Sequence, residues 1–250
     1  MEAILDKVAR LVATRDFLLY QRNLEMRSEY VSKLGQYELA AVKLSTDAEK
    51  MRRKLDLAEQ TLKQGGTLDE SAIDEQLAQE FLDKDQLIEE MTANLFMAMS
   101  FQSMPRMSRE DQSQMLYLYQ RLAKAYYPDF CPEDESRGKQ WEEIRDLYQQ
   151  WDLEGLTEKD AIAEQQNCIE NTEKTADPEQ LKQLQKTLQQ EVDAILQQFP
   201  FNLKEILEDE EQLNKHREDI QENAAKADRE LQALQKKVTL LFEPVSQVLS

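Results

Sequence analysis

The residues that could carry catalysis in this chain do not assemble into a working set. Its single histidine, His216, lies among charged residues beside an apolar helical stripe. One imidazole builds neither a Ser-His-Asp triad nor a His-rich metal site within a chain. Two cysteines, Cys131 and Cys168, are too few for a disulfide framework or a zinc site. Cys131 stands next to Pro132 in an acidic loop, with no cationic neighbour in sequence to activate it. The carboxylate pair Glu142-Glu143 and the acidic run from Glu208 to Glu211 fall on helix faces that the pattern leaves exposed, and nothing marks them as a general acid and base. There is no Gly-rich phosphate loop. The expectation is a non-enzymatic protein with no cofactor and no metal site.

What remains is the chemistry of recognition. In the stretch "YQRLAKAYYPDF", residues 119–130, Arg121 and Lys124 lie three apart on one side of a helix. Tyr127, Pro128 and Asp129 follow in a loop. A cationic helix face ending in an exposed turn can steer an acidic protein partner. The plainer alternative is a helix stop, with Pro and Asp supplying only turn geometry.

The elements that must position these residues are helices. The chain has 250 residues, 32% of them charged, but only five Gly and six Pro. Gln, Glu, Leu, Lys and Ala dominate, as in long solvent-facing helices. Aromatics make up 7%, which favours burial along helix seams over one large globular core. The net charge is −19, so nucleic acid is not the expected partner, because phosphate binding needs clustered cations. Residues 65–105 are the most one-sided, with one basic and nine acidic side chains. No apolar run is long enough for a membrane span, and the N-terminal residues do not read as a secretory signal. A cytoplasmic setting without membrane partners is expected.

From Tyr30 the apolar positions alternate by four and three: Leu34, Tyr37, Ala41, Leu44, Ala48, Met51, Leu55, Ala58 and Leu62. That is a heptad seam. Leu5, Val8, Val12 and Leu19 form a shifted stripe upstream, which predicts a phase slip around Arg22–Arg27. Gly65-Gly66 ends the seam with a left-handed cap. Thr67 to Glu70 then reads as a capping box opening a helix over about Asp69 to Met99. Residues 91–107 are rich in methionine, which suits either packing between helices or an adaptable partner surface. Ser108 caps a helix running to about Tyr126, and Asp177-Pro178 starts another. A second seam runs through Leu213, Arg217, Ile220, Ala224, Ala227, Leu231, Leu234, Val238, Leu241, Val245 and Val248.

Residues 106–156 resemble the J-domain (DnaJ-type) family of co-chaperones. Tyr119, Leu122, Ala123 and Tyr126 match the Tyr-x-x-Leu-Ala-x-x-Tyr pattern of that family's second helix. Pro128 and Asp129 match its His-Pro-Asp loop, and Trp141, Ile144 and Tyr148 its third helix. The ending "WDLEGL" looks like a bacterial subgroup in which such a hairpin interrupts a coiled coil. The resemblance implies docking on a DnaK-type chaperone through Arg121, Lys124, Tyr127, Pro128 and Asp129. Tyr127 stands where the family has its histidine, which implies binding without ATPase activation. The family's short first helix is not recognisable, and the Met-rich segment could stand in for it.

The expected architecture is all-α, with four consecutive regions. These are an N-terminal coiled-coil helix (1–64), an acidic, Met-rich segment (67–103), a J-like hairpin (104–156) and C-terminal helices with a coiled coil (157–250). Antiparallel pairing of the two chain ends buries both seams and displays the hairpin as a knob. Self-association through the seams is the other solution, and heptads alone do not choose. Two functions follow: a chaperone-associated adaptor, or a structural coiled-coil scaffold with no chaperone contact.

Overall fold

Residues 2–243 are described by the structure, a computed structural model. Among them there are helices and turns but no strand, so the fold is all-α. The helices are α1 (Glu2–Asp16), α2 (Asn23–Tyr30), α3 (Gln36–Lys63), α4 (Glu70–Glu80), α5 (Leu82–Ser103) and α6 (Arg109–Tyr126). They continue with α7 (Glu135–Gln149), α8 (Leu153–Gln165), α9 (Cys168–Thr175), α10 (Pro178–Leu196), α11 (Lys204–Glu208) and α12 (Glu210–Phe242). Val245 and Val248 of the second seam lie outside the described residues.

Local signals in the sequence account for most boundaries. Gly65 sits at φ 77°, a left-handed conformation that glycine adopts without a Cβ penalty, and α3 stops there. The Ser108 side chain accepts from the amide of Asp111 to open α6, and Asp177 accepts from Glu179 to open α10. The acidic segment departs from expectation in two ways. Asp69, not Thr67, is the cap, accepting from Ala72. The helix also breaks at Phe81 and continues to Ser103.

Two π-helical turns, Phe17–Arg22 and Val31–Gly35, interrupt the first run of helix. Each π turn admits an extra residue and rotates the downstream face relative to the upstream one. The single slip expected around Arg22–Arg27 is therefore divided between two places flanking that stretch.

The fold gathers distant segments into two compact units instead of four consecutive regions. One unit combines residues 1–27 with 104–204; the other combines 28–103 with 205–250. In the first, α1 packs on α6 and α10, while α6 also meets α7, α8 and α9. Leu5, Val8, Ala9, Val12 and Ala13 of α1 enter the same core as Leu118, Leu122, Ile144, Leu156, Leu181 and Leu188.

In the second unit α3 is shared, packing against α4, α5 and α12, and Ala58 meets Ile73 and Leu77 of α4 in a cluster closed by Leu241 and Phe242 of α12. The direction of α12 corrects the antiparallel expectation. Tyr37 meets Arg217, Arg52 meets Glu230 and Lys54 meets Phe242, so the partner's number rises along α3 and the two helices run parallel. The cause lies in α5. Ser28 donates to the Ala98 carbonyl, so α5 returns the chain to the end where α3 begins. The chain re-enters this unit at that same end, where Lys33 donates to the Leu207 carbonyl. From there α12 can only follow the direction of α3.

Candidate functional site

The sequence-matched hairpin is α6, a loop and α7, in the first unit. α6 has a strongly one-sided apolar face: Met115, Leu118, Tyr119, Leu122, Ala123, Ala125 and Tyr126 are all buried. Met115, Leu118, Tyr119, Leu122, Ala123 and Tyr126 repeat at i, i+3 and i+4 spacings, so one stripe faces inward. Tyr119 is the hub. Its ring stacks on Tyr148 of α7, centroids 3.9 Å apart, and tilts against Trp141 at 5.0 Å. Its hydroxyl donates to Asp16 Oδ2 over 2.8 Å. Burial is the main reason the Tyr119 hydroxyl is held far above its ordinary pKa, and the Asp16 carboxylate adds to it.

Asp16 is 1% exposed, a carboxylate in the core that survives because it is paired. Arg15 Nε donates to Asp16 Oδ1 at 2.7 Å. The same guanidinium reaches Glu191 of α10 at 3.2 Å and the Tyr127 hydroxyl at 3.4 Å, with its carbon 5.9 Å from the Tyr127 ring centre. Arg15 thus ties α1 to the hairpin loop and to α10. Asp16 had a readable signal: it lies four residues beyond Val12, on the apolar stripe itself. Arg15 and Glu191 had none, because each looks like an ordinary surface charge.

The five residues expected to form a contact surface separate on inspection. Tyr127 is buried, edge-on to Trp141 at 5.3 Å and to Phe130 at 5.2 Å. Burial raises its hydroxyl pKa, and Arg15 opposes that rise. Pro128 opens a 3₁₀ turn through Phe130 and is half-buried, whereas Asp129 is exposed. Arg121 Nε donates to Asp160 of α8 at 2.9 Å, and Lys124 pairs with Asp6 of α1. Both cations therefore already hold carboxylates of their own chain. The loop's capping carboxylate is Asp134, whose side chain accepts from the Ser136 amide at 3.1 Å and from Arg137 Nε at 3.3 Å.

The helix packed on α6 ahead of the hairpin is α1, whereas residues 91–103 of the Met-rich segment end α5 in the other unit and Met107 packs against the core of the first. "WDLEGL" is a close turn. Trp151 sits at φ 60°, Asp152 caps α8 by accepting from the Gly155 amide at 2.9 Å, and a Cβ on Gly155 would come within 2.6 Å of Leu147. Beside the loop lies a cavity of about 740 Å³ lined by Phe130, Cys131, Asp134, Arg137, Thr175 and Asp177. Cys131 Sγ is 3.0 Å from the Thr175 hydroxyl there, while Cys168 contacts the Tyr126 hydroxyl. Among the described residues no three His, Cys, Asp or Glu side chains are placed to hold a metal ion, and no helix is long and apolar enough to cross a membrane.

The chemistry available here is ionic and aromatic locking of one helix pair onto its neighbours. Comparisons with protein-family models, with curated proteins and with solved structures return no match.

Proposed function

We propose that this chain is a non-enzymatic interaction protein in which a degenerate J-like hairpin serves as a structural core element. In this reading the heptad helices α3 and α12 form a parallel coiled-coil pair that acts as a scaffold for protein–protein contacts. One observation carries the proposal: Tyr127, at the position that the resemblance gives to the ATPase-triggering histidine, is buried beneath Arg15. The internal pairing of Arg121 and Lys124 supports the same reading, because a docking face needs cations free to meet an acidic partner.

The test is single-turnover ATP hydrolysis by a DnaK-type chaperone titrated with the full chain. The expected result is no acceleration and no difference between the wild type and Asp129→Asn. Acceleration that Asp129→Asn abolishes would overturn the scaffold reading. It would favour the second reading, a chaperone-associated adaptor, which rests on the exposure of Asp129 beside Pro128.

A further inference from the structure

The second unit carries an apolar helix face that its own helices leave uncovered. Residues 91–104 of the sequence contain no charged side chain. The inward side of this stretch is engaged with α2 and the second π turn: Ala98 is buried, its carbonyl accepts from Ser28, and Gln102 donates to the Ser32 hydroxyl. The outward side is not. Phe96 is 67% exposed and Met97 61%. Ala93, Phe96, Met97 and Ser100 follow the i, i+3, i+4, i+7 spacing, so two large apolar side chains stand between two small residues on one face. Contiguous exposed apolar side chains rimmed by polar residues mark an interaction surface, unlike a single exposed apolar side chain.

The charge around the patch says what can cover it. One turn before Ala93 lies Glu89, on the same line of the helix, with Glu90 beside it; both are exposed. Further back, Asp83 is exposed as well. The one lysine of α5, Lys84, already pairs with Glu49 of α3. A second copy of this chain would bring another acidic flank to the patch, in a molecule of net charge −19. A basic partner removes that repulsion and adds attraction at Glu89 and Glu90.

We propose that the outer face of α5, centred on Phe96 and Met97, binds a basic amphipathic helix of another protein. The partner's apolar positions would lie over Ala93, Phe96 and Met97, with Lys or Arg opposite Glu89 and Glu90. Methionine suits such a surface because its unbranched side chain adapts to different partner shapes. This inference is independent of the role assigned to the hairpin.

The test uses the full chain and a fluorescently labelled 14-residue Leu/Lys amphipathic helix peptide, followed by anisotropy, with a Leu/Glu peptide of the same pattern as control. The expected result is one-to-one binding of the Leu/Lys peptide only. Affinity should fall by at least about tenfold in Phe96→Ser/Met97→Ser and several-fold in Glu89→Gln/Glu90→Gln, with the thermal melt unchanged. Absence of binding, or binding that ignores Phe96→Ser/Met97→Ser and so reflects charge alone, would overturn the proposal. So would sedimentation showing a wild-type dimer that the same double variant dissociates, because a second copy would then cover the face.

Discussion

The core of the first unit and the α3–α12 seam of the second bury their apolar side chains to different depths. In the first, Tyr119, Leu122, Ile144, Tyr148 and Leu156 are at 0% exposure. Along the seam Leu55, Leu231, Leu234 and Val238 stop at 7–9%, whereas Leu34 and Ala58 of the same unit reach 0%. Geometry explains the difference. In the first unit α6 is surrounded by α1, α7, α8 and α9, so its face is closed from several directions. In the second, α3 and α12 run as a pair of long helices, and such a pair buries little beyond its shared stripe. The second unit adds ion pairs from α3 to α4 and α5, among them Lys50–Asp85, Arg53–Glu80 and Lys54 with Glu70 and Asp74. Lys54 is buried but its carboxylates are exposed, and pairs open to solvent on one or both sides contribute about 0–1 kcal/mol each, too little to replace an enclosed core.

The contrast is sharpest for large-to-small substitution. Leu122→Ala removes a side chain with no solvent access in the middle of the aromatic cluster. It should cost about 3–5 kcal/mol, because its surroundings cannot collapse into the void. Leu234→Ala, at the margin between α3 and α12, should cost about 2 kcal/mol, since water and neighbouring side chains relieve the gap. Urea unfolding of both variants checks the order. Equal costs would show that the second core is as well enclosed as the first.

A polar substitution probes the buried carboxylate of the first unit. Asp16→Asn keeps the shape of the buried side chain but weakens its bonds to Arg15 and the Tyr119 hydroxyl. The expected loss is about 1–3 kcal/mol, the range for a buried charge-assisted bond left poorly matched. A double-mutant cycle of Asp16→Asn with Tyr119→Phe should show coupling of about 1 kcal/mol. Additivity would mean that the two side chains are merely adjacent.

How much of this was legible in the sequence depended on the range of the interaction. Ser108, Asp177 and Gly65 act on backbone within a few residues, so their helix ends could be read directly. The apolar stripes gave helix faces, and Tyr119, Leu122, Tyr126, Trp141, Ile144 and Tyr148 all proved to be core. Helix direction was not legible, because heptads carry no sign: Leu55 fits Leu234 equally well from either end. The decisive information was where α5 leaves the chain, a sum of all the intervening elements. Arg121 and Lys124 were misleading for a related reason. Their neutralising partners, Asp160 and Asp6, lie far away in sequence, so a cationic face on paper is a paired one in the fold.

The smallest expected effect distinguishes the two units by pH. Glu80 of α4 accepts from Arg53 Nε at 2.8 Å and Nη2 at 2.9 Å, and from Gln76 at 2.7 Å. The Arg53 guanidinium is the main cause that holds the Glu80 carboxyl down at about 2, against an ordinary 4.5. A carboxylate depressed in the folded state stabilises it fully above the unfolded value. That contribution shrinks as pH falls through 4.5 and is gone below about 2. The side chain is on the surface, so solvent and salt screen the gain. The wild type should therefore have a slightly higher urea midpoint than Glu80→Gln at pH 7, and the gap should close as pH drops from 4.5 towards 2. Added salt should shrink the gap at pH 7. Amide hydrogen exchange of α4 in the two proteins would localise the change to the second unit, leaving protection in α6 untouched. A gap that persists at pH 2, or that moves α6 as strongly as α4, would mean that Glu80 acts through packing and not through its charge.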